Sequence, residues 1–268
     1  MPWGDLVAIR WRRVWWIVAA AAAVIVAAIT AQKLVYAVTY LDPGTDFDVL
    51  LRATRSWLAG DGFYPAYELS GPWVYHVFEP AFAGAILYPP NVLLLFVPFQ
   101  FLPAALWWVI PISVTAWALH RLRPHPLAWL IITLLLGLPA SREPYFWGNP
   151  VMWMVAAEAA GFVLGWPGVL VLLKPTLAPF ALAGVGRRAW WVALTVFGVS
   201  SLAFLPLWFD WVTMLRGSTL GPNYSLAQYP LMAVPLVAWL GRDSGRWMEA
   251  TGRSLQIRLV GAGSSHAD

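Results

Sequence analysis

The chain has no cysteine, which excludes disulfides and thiolate metal sites and leaves its compartment open. Charge is scarce: Asp, Glu, Lys and Arg make up 11% of 268 residues. The net charge of +4 is spread over short loops and both tails. No basic run is dense enough for nucleic acid, so the positive balance reads as topology and contact with anionic lipid. No internal repeat is evident. What fills the chain instead is apolar: 60% hydrophobic residues, 19 of them Trp, with a mean hydropathy of +0.65. A soluble domain cannot hide that much apolar surface. The expected class is therefore an all-α polytopic membrane protein, with tryptophans at the lipid–water boundary.

Apolar segments fall near 14–39, 91–102, 104–120, 126–140, 150–164, 168–185, 189–207 and 228–240, which predicts a bundle of about eight membrane segments over 1–241. The first is too long for the core of a signal peptide. Prolines at 98, 103, 111, 175 and 179 interrupt several others. Such breaks are tolerated where freed backbone groups face protein or a polar cavity. With the N-terminus inside, Arg10, Arg12, Arg13, Arg142, Arg187, Arg188, Arg242, Arg246, Arg253 and Arg258 fall on the cytoplasmic side. Arg52, Arg55, Arg121, Arg123 and Arg216 then fall outside, and "HRLRPHP" (120–126) sits on the disfavoured side. The largest extracytoplasmic loop spans 41–88 and is net acidic. A second spans 208–228, and residues 242–268 form a polar cytoplasmic tail of flexible composition.

The stretch "GTDFDVLLRATRSWLAGDGFYP" (44–65) predicts a short amphipathic helix directly after the first apolar segment. Thr45 and Asp46 suit its N-terminal cap, and Asp48 its first turn. Phe47, Leu50, Leu51, Thr54, Trp57 and Leu58 repeat at helical spacing, opposite Asp48, Arg52, Arg55 and Ser56. "AGDG" (59–62) supplies a glycine stop. Such a helix is expected to lie flat on the outer membrane surface. Asp48 is in register with Arg52 for an ordinary helix-face ion pair. Asp46 has no such partner: it either caps the helix or, partly desolvated, gains the basicity a general base needs. Lys174, within an apolar segment, needs an anion, a route to the interface or a partner such as Glu158.

That stretch, followed by "YPPN" (88–91), "GNP" (148–150), "LKPT" (173–176) and "NYSL" (223–226), resembles the GT-C membrane glycosyltransferases. The likeness is greatest to glycosyltransferase family 87, the polyprenyl-phosphate-mannose-dependent α-mannosyltransferases, and covers roughly residues 40–228. It implies a catalytic carboxylate at Asp46, acting as base on an acceptor hydroxyl in an inverting displacement at the anomeric carbon. It implies a donor sugar, most simply mannose, on a polyprenyl phosphate and an acceptor that is a lipid or glycan of the cell envelope. Lys174, Arg52, Arg55 and Tyr88 are the candidates for donor phosphate and sugar. Asp48, His76, Asn149, Asn223 and Ser225 are candidate contacts to acceptor or donor.

Asp46 and Asp48 also spell D-x-D, a metal motif in soluble nucleotide-sugar transferases. A monophosphate leaving group needs less neutralisation and two carboxylates make a poor magnesium site, so no metal or other cofactor is expected. The expected setting is a multi-pass bacterial-type plasma membrane with the site on the outer face. Family members carry more membrane segments after the second outer loop, so a partner subunit is a further expectation. Two rival readings are a non-catalytic GT-C-like scaffold and a lipid-carrier transporter built on broken helices.

Overall fold

A computed structural model describes residues 3–41, 43–71, 86–218 and 222–242, with the side chains of 3–10, 37, 38, 40 and 222–224 left aside. All regular structure among the described residues is helical. The α-helices run α1 Trp3–Tyr40, α2 Thr45–Ala59, α3 Ala66–Leu69, α4 Leu93–Phe96, α5 Leu106–Leu122, α6 Pro126–Gly137, α7 Pro139–Trp147, α8 Val151–Leu164, α9 Arg188–Leu202, α10 Leu205–Gly217 and α11 Tyr229–Gly241. Short 3-10 helices fill Pro90–Val92, Val97–Gln100, Trp166–Leu173, Pro175–Leu182 and Pro222–Gln228.

The expectation of about eight membrane segments is corrected. Among the described residues one helix stretch, Trp11–Tyr36, is long and apolar enough to cross a membrane, and a second qualifies only if α9 and α10, bent by 88°, are one span. The reason is length. An α-helix rises about 1.5 Å per residue, so even α5, with 17 residues, reaches only about 25 Å against a hydrocarbon core of about 30 Å. Breaks fall at Pro98, in a 3-10 turn, and at Pro175, which opens the 3-10 run after Lys174, whereas α5 continues through Pro111. The stretch 208–228, read from sequence as a loop, is largely the end of α10 and the following 3-10 turn.

The N-terminal and "HRLRPHP" ends also lie together rather than on opposite sides. α1 packs along α6, Arg12 is close enough to His125 to hold its imidazole below its usual range (burial being the larger cause), and the His125 N–H donates to the Gly241 carbonyl. This removes the conflict that the eight-segment arrangement had created for those basic residues.

The helix over 45–59 forms where the periodicity places it, but its apolar face meets protein rather than lipid. Phe47, Val49, Leu50, Leu51 and Thr54 are buried, while Asp48, Arg52 and Arg55 are exposed. The Phe47 ring lies 5.1 Å from Trp107 and 5.6 Å from Trp108, centroid to centroid, and Phe96 and Phe99 complete an aromatic cluster around the fully buried Trp107. The helix stops as expected at Gly60, φ 94°, where the Gly60 and Asp61 N–H groups close back on Trp57 and Ser56 carbonyls. Its start differs from expectation. Gly44, φ 86°, is the cap residue, no side chain caps the helix, and Asp46 lies one residue inside it.

Gly44 in turn docks on the end of α7. Its N–H donates to the Phe146 carbonyl at 3.0 Å, and the indoles of Trp107 and Trp108 donate to the carbonyls of Gly148 and Tyr145. Gly148 sits at φ 68°, and a Cβ there would meet Phe47 Cβ and Trp108 Cζ2 at 2.9 Å each. Gly148→Ala is expected to destabilise the fold by about 2–4 kcal/mol, summing a left-handed backbone penalty and overpacking. Gly186→Ala, with open space at its Cβ, should stay within about 0.5 kcal/mol. Denaturant unfolding in detergent compares the two.

Candidate active site

Four residues from four separate sequence motifs meet at the start of α2. The docking of Gly44 on α7 sets Asp46 beside the turn that joins α7 to α8. There the Asn149 amide donates to Asp46 Oδ2 at 2.6 Å. The other end of the same amide, Oδ1, accepts the Val151 N–H at 3.0 Å and the Tyr88 hydroxyl at 2.8 Å. Lys174 Nζ donates to the Tyr88 hydroxyl at 3.4 Å and stands 4.9 Å from its ring centroid. The result is one chain of polar contacts, Lys174–Tyr88–Asn149–Asp46.

Each member is held by its local backbone. Asp46 is in the first turn of α2, where the helix dipole favours an anion. Asn149 precedes α8 and is fixed by its own N–H on the Pro144 carbonyl, 2.7 Å. Lys174 occupies the extended break between two 3-10 helices, φ −133°, ψ 91°, with Pro175 preventing a continuous helix. It is 2% exposed, so its ammonium depends on the site's own groups for solvation. The sequence offered Glu158 as its partner; the structure instead turns it toward Tyr88 and within attraction of Asp46.

Burial raises the Asp46 carboxyl above its ordinary value; the Asn149 donor and the Lys174 charge pull it partly back. A raised carboxyl pKa means the ionised form is less favoured in the folded chain than in the unfolded one. Its contribution to stability therefore weakens as pH rises from the ordinary value through the raised one. For chemistry the sign is reversed, because a base must be ionised to accept a proton.

The remaining sequence candidates separate. Arg52 and Arg55 lie on the exposed side of α2, and Arg55 donates to Gln100 Oε1 at 2.8 Å, so neither is brought to Asp46. Asp48 is exposed, two residues along the helix from Asp46, so the D-x-D carboxylates point to different sides and do not converge on one ion. Exposure also makes any pairing of Asp48 with Arg52 worth little. Ser225 is buried and its hydroxyl meets Thr176 Oγ1 at 2.7 Å, while Tyr229 donates to the Thr176 carbonyl. It therefore ties the "NYSL" and "LKPT" segments together. Asn223 lies in the 3-10 turn Pro222–Gln228 but its side chain, like His76 as a whole, lies outside the described residues. The loop between segments 126–140 and 150–164, which the eight-segment arrangement puts on the cytoplasmic side with Arg142, carries Asn149 into direct contact with Asp46; that placement is overturned.

Sequence reading missed three contributors. Asn91 of "YPPN" is buried and donates to Ser201 Oγ at 2.7 Å, fixing the turn after Tyr88 against α9. Tyr64 donates to the Tyr88 carbonyl at 2.8 Å. Arg142, on the helix leading into Asn149, keeps Nε and Nη1 buried without a hydrogen-bond partner among the described residues. A formally charged residue in so apolar a chain was the available signal for Arg142, which the structure leaves half-buried; the other two had none. The described cavity, about 690 Å³ and lined by Glu158, Phe162, Phe180, Arg187, Trp239 and Arg242, lies toward the far end of α8 and includes none of the four linked residues.

Asn149→Ala removes the hydrogen bond that holds the Asp46 carboxylate. The acid limb of any Asp46-dependent activity should move to higher pH, and activity at neutral pH should fall roughly 10- to 100-fold, the range for a hydrogen bond to a charged group. An NMR titration of Asp46 checks the shift without reference to activity. No family model, curated protein or solved structure matches this chain.

Proposed function

We propose that the chain is an integral membrane glycosyltransferase of GT-C type, moving a sugar, most simply mannose, from a polyprenyl-phosphate donor to a cell-envelope lipid or glycan. The observation that carries this reading is the continuous contact chain from Lys174 through Tyr88 and Asn149 to Asp46. Those residues come from four of the five segments on which the resemblance rests, and they lie up to 128 positions apart in sequence. A resemblance by chance has no reason to converge on one point.

The chemistry divides among them. Asp46, ionised and partly desolvated, takes the proton of the acceptor hydroxyl. The acceptor oxygen bonds to the anomeric carbon as the bond from that carbon to the phosphate oxygen breaks, giving inversion. The bonding electrons leave with the polyprenyl phosphate, whose growing charge the Lys174 ammonium offsets. Tyr88 stands between the two, able to donate to a phosphate or sugar oxygen once a ligand displaces one of its present contacts. Asn149 orients Asp46 through the carboxylate Oδ2, leaving the Oδ1 of Asp46 for the acceptor. The exposed apolar flank of α1, with Ile17, Val24, Ile25 and Val35 open, suits a lipid setting, and a polyprenyl tail requires one. In this reading the shorter, broken helices pack as partial spans around the site.

The test is sugar transfer in membranes supplied with labelled polyprenyl-phosphate mannose and a lipid-glycan extract. Asp46→Asn should lose activity by about 10²–10⁴-fold, the usual scale for a general base, and Lys174→Ala by about 10²–10³-fold. Asp48→Asn should stay near wild type, and EDTA should leave the rate unchanged. A wild type that transfers nothing, or an Asp46→Asn variant as active as wild type, overturns the assignment. An inert wild type that co-purifies with a larger enzyme points to the scaffold reading instead.

A further inference from the structure

Tyr88 is the hinge of the site, since its hydroxyl touches both Asn149 and Lys174, yet it stands on irregular backbone directly after residues 72–85. No helix holds residues 86–88, and backbone of this kind is placed only by whatever satisfies its polar groups. Three side chains from three places in the fold do so on three consecutive residues. Glu68 Oε1, on α3, accepts the Ile86 N–H at 3.3 Å. The Trp211 indole, on α10, donates to the Leu87 carbonyl at 3.3 Å. The Tyr64 hydroxyl, between α2 and α3, donates to the Tyr88 carbonyl at 2.8 Å.

Glu68 is the costly member of this set. It is fully buried, its Oε1 takes a second hydrogen bond from Tyr67 at 3.1 Å, and its Oε2 has no partner among the described residues. A buried acid with one oxygen left unpaired opposes folding unless its position is needed, so its presence calls for a function. Ile86 and Tyr64 are themselves buried, so the hydrogen bonds form where water does not compete.

We propose that Glu68 is a positioning residue for the Asp46 site: by holding Ile86, in concert with Trp211 on Leu87 and Tyr64 on Tyr88, it keeps the Tyr88 hydroxyl between Asn149 and Lys174. The hydrogen bonds of Glu68 among the described residues go to Tyr67 and to Ile86, so it acts on the site through the backbone of 86–88. Its consequence for turnover rests on the transferase reading; its consequence for geometry does not. A loose Tyr88 leaves the donor-side cation and the base no longer tied to each other, so the rate of the chemical step should suffer more than donor binding.

The experiment uses the full chain in lipid nanodiscs with Glu68→Leu, Glu68→Gln and Tyr64→Phe. Gln keeps the acceptor oxygen for Ile86 and Tyr67; Leu does not. Amide exchange is followed at Ile86, at Val151, whose N–H reports on Asn149 Oδ1, and at Ile132 on α6 as a remote control. Glu68→Leu and Tyr64→Phe should speed exchange at Val151 about tenfold, as expected for one lost hydrogen bond, with Ile132 unchanged. Glu68→Gln should match wild type. In transfer assays the same two variants should lower kcat about tenfold with the donor KM little altered, and Gln should restore it. Wild-type exchange at Val151 in both Glu68→Leu and Tyr64→Phe overturns the proposal, and so does equal damage by Gln and Leu. Should Glu68→Leu fail to fold, Tyr64→Phe and Glu68→Gln still decide it. If no variant, wild type included, transfers sugar, the transferase reading falls while the exchange data still judge the positioning role.

Discussion

The close approach of Gly44 and Gly148 underlies everything else in this structure. Two backbones meet there with both glycines at positive φ, Gly44 donates to Phe146, and the rings of Phe47 and Trp108 close over the junction. No side chain larger than hydrogen fits at Gly148, because the space a Cβ needs is already taken by those two residues. This contact converts a short amphipathic helix from an element that would otherwise seek lipid into one buried on the aromatic cluster around Trp107. The same contact carries Asp46 to Asn149.

From that junction the site grows by economy of groups. One amide, that of Asn149, serves Asp46 through its nitrogen and both Tyr88 and the start of α8 through its oxygen. Tyr88 likewise serves two neighbours with one hydroxyl. Such shared contacts make the four residues behave as a unit, so their substitutions should not be additive. They also set acid and cation near each other in low-dielectric surroundings. There a carboxylate becomes more basic, and an ammonium interacts more strongly with a phosphate than it would in water.

The broken helices have the same logic. Lys174 is available to the site because Pro175 ends one 3-10 run and begins another, leaving an extended residue at the break. A continuous helix through 166–182 would have satisfied its own backbone, but it would have offered no such residue. The short helices thus trade length for a polar interior, in which the freed backbone groups face protein.

Much of this was legible in the sequence. Hydropathy pointed to the helical class seen throughout the described residues, the three- and four-residue spacing located α2 and its buried face, the glycine at its end marked the stop, and prolines marked several breaks. Asp46, Lys174, Tyr88 and Asn149 stood out as polar groups in apolar or motif-like surroundings. What the sequence misjudged were matters of partner and length. Apolar composition does not distinguish a face that meets lipid from one that meets protein, so α2 was set on a membrane surface. It also does not reveal how far a proline-broken segment extends, so it predicts about eight membrane segments where one helix, or two with a bent pair, is long enough to cross. Arginine bias placed Asn149 on the side away from Asp46, because it treats every segment as a crossing. Which polar groups face each other, that Arg52 and Arg55 turn outward, and that Glu68, Trp211 and Tyr64 grip the backbone beside Tyr88 were decided by tertiary structure alone. Those contacts join residues from 18 to 124 positions apart, and a hydrogen bond between distant residues leaves no periodic trace in a single chain.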